Sequence, residues 1–328
     1  MKRISISYPL TASPIAEIGE ELSIAIGHFD GVHIGHQNVI RRAVDAAKAQ
    51  QRKSAVMTFH PHPKAVLGQG EQYVNCLTPL DDKLAQFAAL GVDYAFVIRF
   101  DHCFADVSPE RFVKDILAAL HVRHVVIGFD FRFGHRGAGN AESLRKLGVE
   151  EGMTTDVVEP LLYQDEKVSS TYVREAIAEG DMKLASQLLG RSYEVKGTVV
   201  HGHARGRTIG FPTANVGLEE PYVTPRLGVY AVQVQLDGHW YPSVLNYGIK
   251  PTFKDGETAP VLEAHLIGFA GDLYGRTIRL RFIAFLRSER KFNGINELIE
   301  QISRDRDEAA ELLASLEAEA AAPARPVQ

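Results

Sequence analysis

The chain changes its secondary-structure grammar near the middle, and no single layered fold satisfies both halves. In the first half four short apolar runs alternate with helix-length stretches: Leu22-Ser-Ile-Ala-Ile-Gly27, Ser54-Ala-Val-Met-Thr-Phe59, Tyr94-Ala-Phe-Val-Ile98 and His124-Val-Val-Ile-Gly128. The stretches between them are Val39–Gln50, Asp81–Leu90 and about Ser108–Leu120, the last opening on a serine N-cap with proline behind it. Runs apolar at nearly every position predict strands covered on both faces. Their alternation with helices predicts a doubly wound parallel sheet, a Rossmann-like α/β domain.

A helical connector is expected over about Thr171–Leu189, and after Gly190 the helices stop. Tyr193–Val200, Val229–Leu236, Trp240–Leu245, Val261–Leu266 and Thr277–Leu286 read as strands, with Asp237-Gly238 as a type I′ hairpin signal between two of them. Strands without intervening helices pair antiparallel, so a small closed antiparallel β-barrel is expected. Ile295, Leu298, Ile299 and Ile302 form the stripe of a terminal helix, and beyond about Asp307 the Ala/Glu-rich run is expected to fray into a loose tail. The expected domains are 1–186, 187–306 and a helix end and tail over 307–328.

Composition narrows the partners. A net charge of -5 disfavours general nucleic-acid binding, which needs a positive surface. Cys76 and Cys103 have neither zinc-ligand spacing nor a disulfide framework, which predicts reduced thiols. Met1-Lys-Arg is followed by no apolar segment of a leader, and no run approaches the ~20 apolar residues that span a bilayer. A cytoplasmic protein with no membrane partner is expected. Nothing in the pattern sets an oligomeric state.

Parallel sheets bind ligands at the carboxyl ends of their strands. There the chain places Gly27-His-Phe-Asp-Gly-Val-His-Ile-Gly-His36, His60-Pro-His-Pro63 and the segment Phe129–Asn140. His33-Ile-Gly-His36 stands at the mouth of a helix, where backbone N–H groups attract an anion and imidazoles can hydrogen-bond phosphate oxygens. Zinc is the rival for paired histidines, but a third ligand is missing. Ser169-Ser-Thr-Tyr-Val-Arg174 opens another helix; alone it reads more readily as an ordinary helix cap with a solvated arginine than as a phosphate site. In the second half Gly197–Gly210 is rich in glycine and basic side chains. It can wrap phosphates or simply supply turn glycines, and it is not a Walker A loop.

These residues carry a family resemblance. Gly27–His36 resembles the HxGH-type nucleotidyltransferases, and Ser169-Ser-Thr-x-x-Arg174 resembles their partner motif. Thr58-Phe-His-Pro-His-Pro63 and Gly128-Phe-Asp-Phe-Arg-Phe-Gly134 with Gly139-Asn140 narrow it to the prokaryotic bifunctional riboflavin kinase/FMN adenylyltransferase family. Phe211-Pro-Thr-Ala-Asn215 resembles the same family's kinase barrel. The resemblance runs from about Ile24 to Asp305.

It implies that riboflavin is phosphorylated to FMN in the second half and FMN is adenylylated to FAD in the first, with ATP as co-substrate and release of pyrophosphate. His33, His36 and Arg174 would serve the adenylyl transfer. Glu263 would be the kinase base, and Thr213 and Asn215 would hold Mg²⁺. Nucleotide contacts would come from Gly27, Phe29, Asp30, Gly35, Asn140, Ser170 and Thr171, and in the barrel from Gly202, Arg207 and Gly210. The flavin would meet Phe59, Pro61, His62, Asp130, Phe131 and Phe133, and in the kinase Arg287 and Arg290. Of the alternating Phe129, Phe131 and Phe133, at least one is expected to fill the core. The chain departs from the family at Gly268, where aspartate is common, and at Pro260, where threonine is. Both motif sets are intact, so both activities are expected; the alternative is one active half with the other binding or regulatory.

Overall fold

The computed structural model describes residues 1–10, 19–68, 70, 73–202, 206, 209–251 and 258–321. The chain packs as two compact units, Met1–Tyr172 and Val173–Gln328.

The first unit is built on β1 (Lys2–Ile6), β2 (Leu22–Ile26), β3 (Lys53–His60), β4 (Tyr94–Arg99), β5 (Val122–Gly128) and β6 (Thr154–Val158). They lie in the order β1-β4-β3-β2-β5-β6, and every pairing is parallel. Between them run α1 (Ile34–Ala49), α2 (Pro63–Val66), α3 (Leu80–Ala89), α4 (His102–Ala105), α5 (Pro109–Arg111, continued as a π-helix over Phe112–Ala118) and α6 (Ala141–Glu150). A small antiparallel pair, β7 (Leu162–Tyr163) and β8 (Glu166–Lys167), follows.

Strand β2 is buried at every position because both its faces are covered. Leu22, Ile24 and Ile26 join Phe112 and Ile116 in one apolar layer, while Ala25 joins Ile40, Ala43 and Val44 of α1 in the other. Burying each large aliphatic side chain stabilises the unit by about 1.5–3 kcal/mol. The chain winds outward from β2 in one direction and from β5 in the other, so the carboxyl ends of these two strands form the topological switch point where such sheets bind ligands.

Two strands of the six-stranded sheet are not expected from the sequence, and both lie at its edges. Lys2–Ile6 buries only Ile4 and Ile6, and Thr154–Val158 has no fully buried position, so neither shows a continuous apolar run.

The connector is two helices, α7 (Ser170–Glu179) and α8 (Met182–Leu189), separated where Gly180 takes φ 82 and Asp181 caps α8 by accepting from the Leu184 N–H at 2.9 Å. Helix α8 packs on the barrel strands, so the division of the chain after Tyr172 puts all of it with the second unit, whereas the expected boundary at 186/187 falls within it.

The barrel comprises β9 (Tyr193–Val200), β10 (Ala214–Leu218), β11 (Gly228–Leu236), β12 (His239–Pro251), β13 (Thr258–Leu266) and β14 (Thr277–Arg287). It closes in the order β10-β13-β12-β11-β14-β9, all antiparallel. The Asp237-Gly238 hairpin has φ 50 and 84 at its two central residues, as a type I′ turn requires. Strand β10 went unrecognised because its five residues include Gly217 and it runs on from a motif read as a loop.

The terminal helix, α9 (Ile295–Ala321), corrects the expectation of fraying at Asp307. Ala309 and Leu313 are fully buried against Ala231, with Val244, Ile283 and Leu286 around them. The stripe therefore continues through the Ala/Glu-rich segment with small and single large apolar residues. Asp305 holds Arg287 of β14 in a bidentate pair at 2.7–3.1 Å, tying the helix to the barrel.

Candidate active sites

In the first unit the chain leaves β2 at Gly27 and turns sharply into α1. Phe29 takes φ 54 and Val32 φ 43, both left-handed and costly for these residue types. Surrounding contacts hold the turn in that shape. The Phe29 ring folds back over Gly27, where a Cβ would lie 2.8 Å from it, and packs edge-on against Phe87 and His36. The His28 carbonyl accepts from Thr58 Oγ1 at 2.8 Å and from Lys83 Nζ at 2.9 Å. Buried Asp30 accepts from the Leu77 and Thr78 N–H groups at 3.0 and 3.3 Å, and its carbonyl accepts from Ser170 Oγ at 2.9 Å.

This turn delivers His33 as the N-cap of α1. Its Nδ1 accepts the His36 backbone N–H at 3.2 Å, so a neutral His33 carries its proton on Nε2. The two rings stack with centroids 3.6 Å apart and 19° between planes. Gly35 permits this, since a Cβ there would stand 3.2 Å from the His33 ring. Burial holds the His36 pKa well below the ordinary histidine value, with His33, Lys83 and Lys167 adding to the depression. Its buried Nδ1 has no hydrogen-bond partner among the described residues. The site therefore presents a stacked imidazole pair at a helix N-terminus, with His36 held neutral by burial.

The other expected residues divide. Ser170 and Thr171 open α7 and Arg174 stands one turn further along it. Asn140 caps α6 in a capping box with Ser143, its Oδ1 accepting the Ser143 N–H at 2.9 Å. Asp130 pairs with Lys167, whose ammonium also lies 4.4 Å over the ring of exposed Phe129. A cavity of about 860 Å³ within this unit is walled by Phe59, Phe100, Phe104, Phe112 and Phe133, with Lys64, Arg132 and Arg136 also in its lining. Of the residues expected at the flavin, Phe59 and Phe133 line it, while Pro61, His62, Asp130 and Phe131 do not. The His62 ring lies 3.8 Å from that of His28 and 4.8 Å from that of Tyr73, and its Nδ1 caps α2. Phe133 is also the member of the aromatic alternation that enters the core, with Phe131 stacked on it.

In the barrel, strand register assembles the second group. Asn215 of β10 lies directly opposite Glu263 of β13, which lies opposite Asn246 of β12. Register partners share a face, so three polar residues form one row across three strands. Asn215 is buried, and Gly202 packs so closely on it that a Cβ would stand 2.2 Å from its amide nitrogen. His265 Nδ1 donates to the Pro212 carbonyl at 2.8 Å, fixing the chain just before Thr213. Thr213 lines a cavity of about 380 Å³ together with Phe269, Asp272 and Tyr274. Gly210 takes φ 87 in a turn. Arg207 lies outside the described residues.

Arg287 directs its guanidinium to Asp305 and to the Ser288 carbonyl, so it clamps the terminal helix, and Arg290 is exposed over Phe292. The departure at Gly268 has a conformational reason: φ is 76 there, a value that glycine takes freely and aspartate tolerates.

Lys83, Asn246 and His265 were absent from the sequence reading. Lys83 had a signal, because it stands on the Leu80, Leu84, Phe87 stripe of α3 where a core residue belongs. Asn246 and His265 had none, since their roles arise from register.

Among the described residues no cluster of three His, Cys, Asp or Glu side chains could hold a metal ion, and no helix is long and apolar enough to cross a membrane. A hard cation in the barrel would instead meet the Thr213 hydroxyl and the Asn215 amide, an oxygen donor set that suits a magnesium ion retaining its phosphate ligands.

Comparison with known proteins assigns each half. The FAD synthetase family matches residues 15–172 and the riboflavin kinase family residues 189–313. The chain is similar to the bifunctional riboflavin kinase/FMN adenylyltransferase of Bacillus subtilis, with 44% identity over 96% of this chain and 99% of that one. It is 39% identical to the protein of that description from Escherichia coli K12, over 86% and 90% of the two chains. A crystal structure described as a macrolide-efflux protein from Streptococcus pneumoniae shares the fold, with a TM-score of 0.85, 31% identity and coverage of 94% and 99%.

Proposed function

The chain belongs to the bifunctional riboflavin kinase/FMN adenylyltransferase family, and from that premise we propose how its own residues divide the two reactions. It is a flavin-cofactor enzyme that phosphorylates riboflavin to FMN and adenylylates FMN to FAD.

For adenylyl transfer, a phosphate oxygen of FMN attacks the α-phosphorus of ATP, and the bond to the departing pyrophosphate breaks. FMN brings an ionised nucleophile, so the protein supplies position and charge neutralisation. His33 and His36 donate hydrogen bonds to the polyphosphate from the N-terminus of α1. A depressed pKa keeps His36 neutral at pH 7, so it acts as a hydrogen-bond donor rather than a fixed cation. Ser170 and Thr171 contribute donors from the first turn of α7. The 860 Å³ aromatic cavity falls within the ~300–1,000 Å³ range of small-molecule sites and accommodates the isoalloxazine ring. Lys64, Arg132 and Arg136 in its lining suit the FMN phosphate.

For the kinase reaction, Glu263 accepts the proton of the riboflavin 5′-hydroxyl as that oxygen attacks the γ-phosphorus of ATP. Thr213 and Asn215 would hold Mg²⁺, which when bound neutralises phosphate charge. The Asn215–Glu263 register carries this reading, because it sets the cation ligand beside the base. We place both reactions in the cytoplasm, where two free cysteines remain reduced.

The test is product analysis by chromatography. Riboflavin, ATP and Mg²⁺ should yield FMN and then FAD, and FMN as sole product would remove the adenylyltransferase assignment. Glu263→Gln should lower FMN formation by about 10²–10⁴-fold while FAD synthesis from supplied FMN persists.

A further inference from the structure

Lys83 occupies a place where lysine is costly. It lies in the first turn of α3, on that helix's apolar face, and is only 4% exposed. Fully buried lysines are rare unless paired, because an ammonium loses its hydration. Its hydrogen bond goes to a carbonyl and not to a carboxylate: Nζ donates to the His28 oxygen at 2.9 Å. That carbonyl already accepts from Thr58 Oγ1 at 2.8 Å. A second neutral donor would serve it equally well, so satisfying the carbonyl does not account for a buried charge.

The location does account for it. His28 lies in the turn whose left-handed Phe29 and Val32 aim His33 into the N-cap of α1. Burial lowers the Lys83 pKa below the ordinary lysine value, and Asp30 of the same turn partly offsets that effect, while its own carboxylate accepts from the Leu77 and Thr78 N–H groups. The field of Lys83 reaches His36, where it adds to the effect of burial in disfavouring a second positive charge. One ammonium thus braces the turn, disfavours a positive charge on His36 and contributes a positive potential to a site that must accept a polyphosphate.

We propose that Lys83 is a positioning residue for adenylyl transfer, fixing the Gly27–His33 turn through the His28 carbonyl and supplying a positive charge that favours ATP binding and the charge of the departing pyrophosphate. The inference rests on the adenylyltransferase reading of the first unit.

The test uses the full chain with FMN, ATP and Mg²⁺, at varied ATP. Lys83→Met removes both charge and donor, whereas Lys83→Gln keeps a donor for the carbonyl. Both variants should lose at least ten-fold in kcat/KM for ATP, equivalent to about 1.4 kcal/mol of transition-state stabilisation. The loss should fall on both kcat and the KM for ATP, with the KM for FMN within two-fold of wild type. FMN formation from riboflavin by the same preparations should stay within two-fold. Wild-type kcat/KM in Lys83→Gln would overturn the proposal, because a neutral donor would then suffice. A fall in kcat alone, with unchanged KM for ATP and a lowered melting temperature, would also overturn it by reducing Lys83 to a structural role. If the wild-type protein forms no FAD, the adenylyltransferase reading itself fails, an outcome distinct from both.

Discussion

Leu313 offers a quantitative check on the terminal helix. It lies beyond the point where composition suggests a loose tail, yet it is 1% exposed in a cluster with Ala231 and Ala309. Truncating a fully buried leucine to alanine removes its transfer free energy and leaves a cavity, together about 2–5 kcal/mol. Leu316, one turn on, is 43% exposed, and its truncation should change stability by no more than about 0.5 kcal/mol. The chain has a single tryptophan, Trp240, and it lies in β12, so tryptophan fluorescence reports on the barrel. With a urea m-value of about 2 kcal/mol/M for a unit of this size, Leu313→Ala should lower the fluorescence midpoint by ~1–2.5 M. Leu316→Ala should leave it within about 0.3 M. Equal midpoints for the two variants would refute the packing of α9 on the barrel and restore the frayed tail.

Two further outcomes follow from local geometry. Gly202→Ala places a methyl group 2.2 Å from the Asn215 amide, so FMN formation should fall at least ten-fold while FAD synthesis from FMN is retained; a fully active variant would show that Asn215 does not need its position. His124 is buried in the sheet, with Ser23 Oγ 2.8 Å from Nδ1 and Asp156 Oδ2 3.6 Å from Nε2, and burial lowers its pKa below 6.5. The unfolded chain therefore binds a proton first, so the contribution of His124 is fully present above pH 6.5 and is lost as pH falls through its depressed folded value. His36 acts in the same direction. The melting temperature of the first unit, followed by circular dichroism, should drop between pH 7.5 and 5.5, and the drop should be smaller in His124→Gln; an unchanged slope in that variant would contradict the assignment.

How far the fold could be read from sequence depended on how each element is buried. Strands β2 to β5 are covered on both faces, and that covering writes an apolar run into the sequence. The edge strands β1 and β6 are covered on part of one face and carry Lys2, Arg3 and Asp156 among their residues, so the pattern dissolves. The hairpin at Asp237-Gly238 was legible because a turn with two positive φ values admits few residue types. Helix α9 was cut short for the opposite reason. Alanine at 309 fills a buried position without raising hydrophobicity much, so a packed surface reads like a solvated one.

The sites follow the same logic at the scale of single residues. His33, Gly35 and His36 were legible because their relation is local: a cap, a close approach and a stacked ring all within one helical turn. Glu263 and Asn215 could be named only through resemblance, since what joins them is a strand register that no local spacing encodes. Arg287 shows the limit of naming by position alone. Its motif suggests a flavin contact, whereas its fork is taken by Asp305 on the terminal helix, so its influence on the kinase would pass through the placing of α9 and the segment before it. Lys83 lies between these cases. Neither motif nor resemblance marked it, yet a lysine three residues after Leu80 and four before Phe87 stands on an apolar stripe, and a charge there must answer to something in the interior. In this chain the ammonium answers to the His28 carbonyl, in the turn that leads to His33.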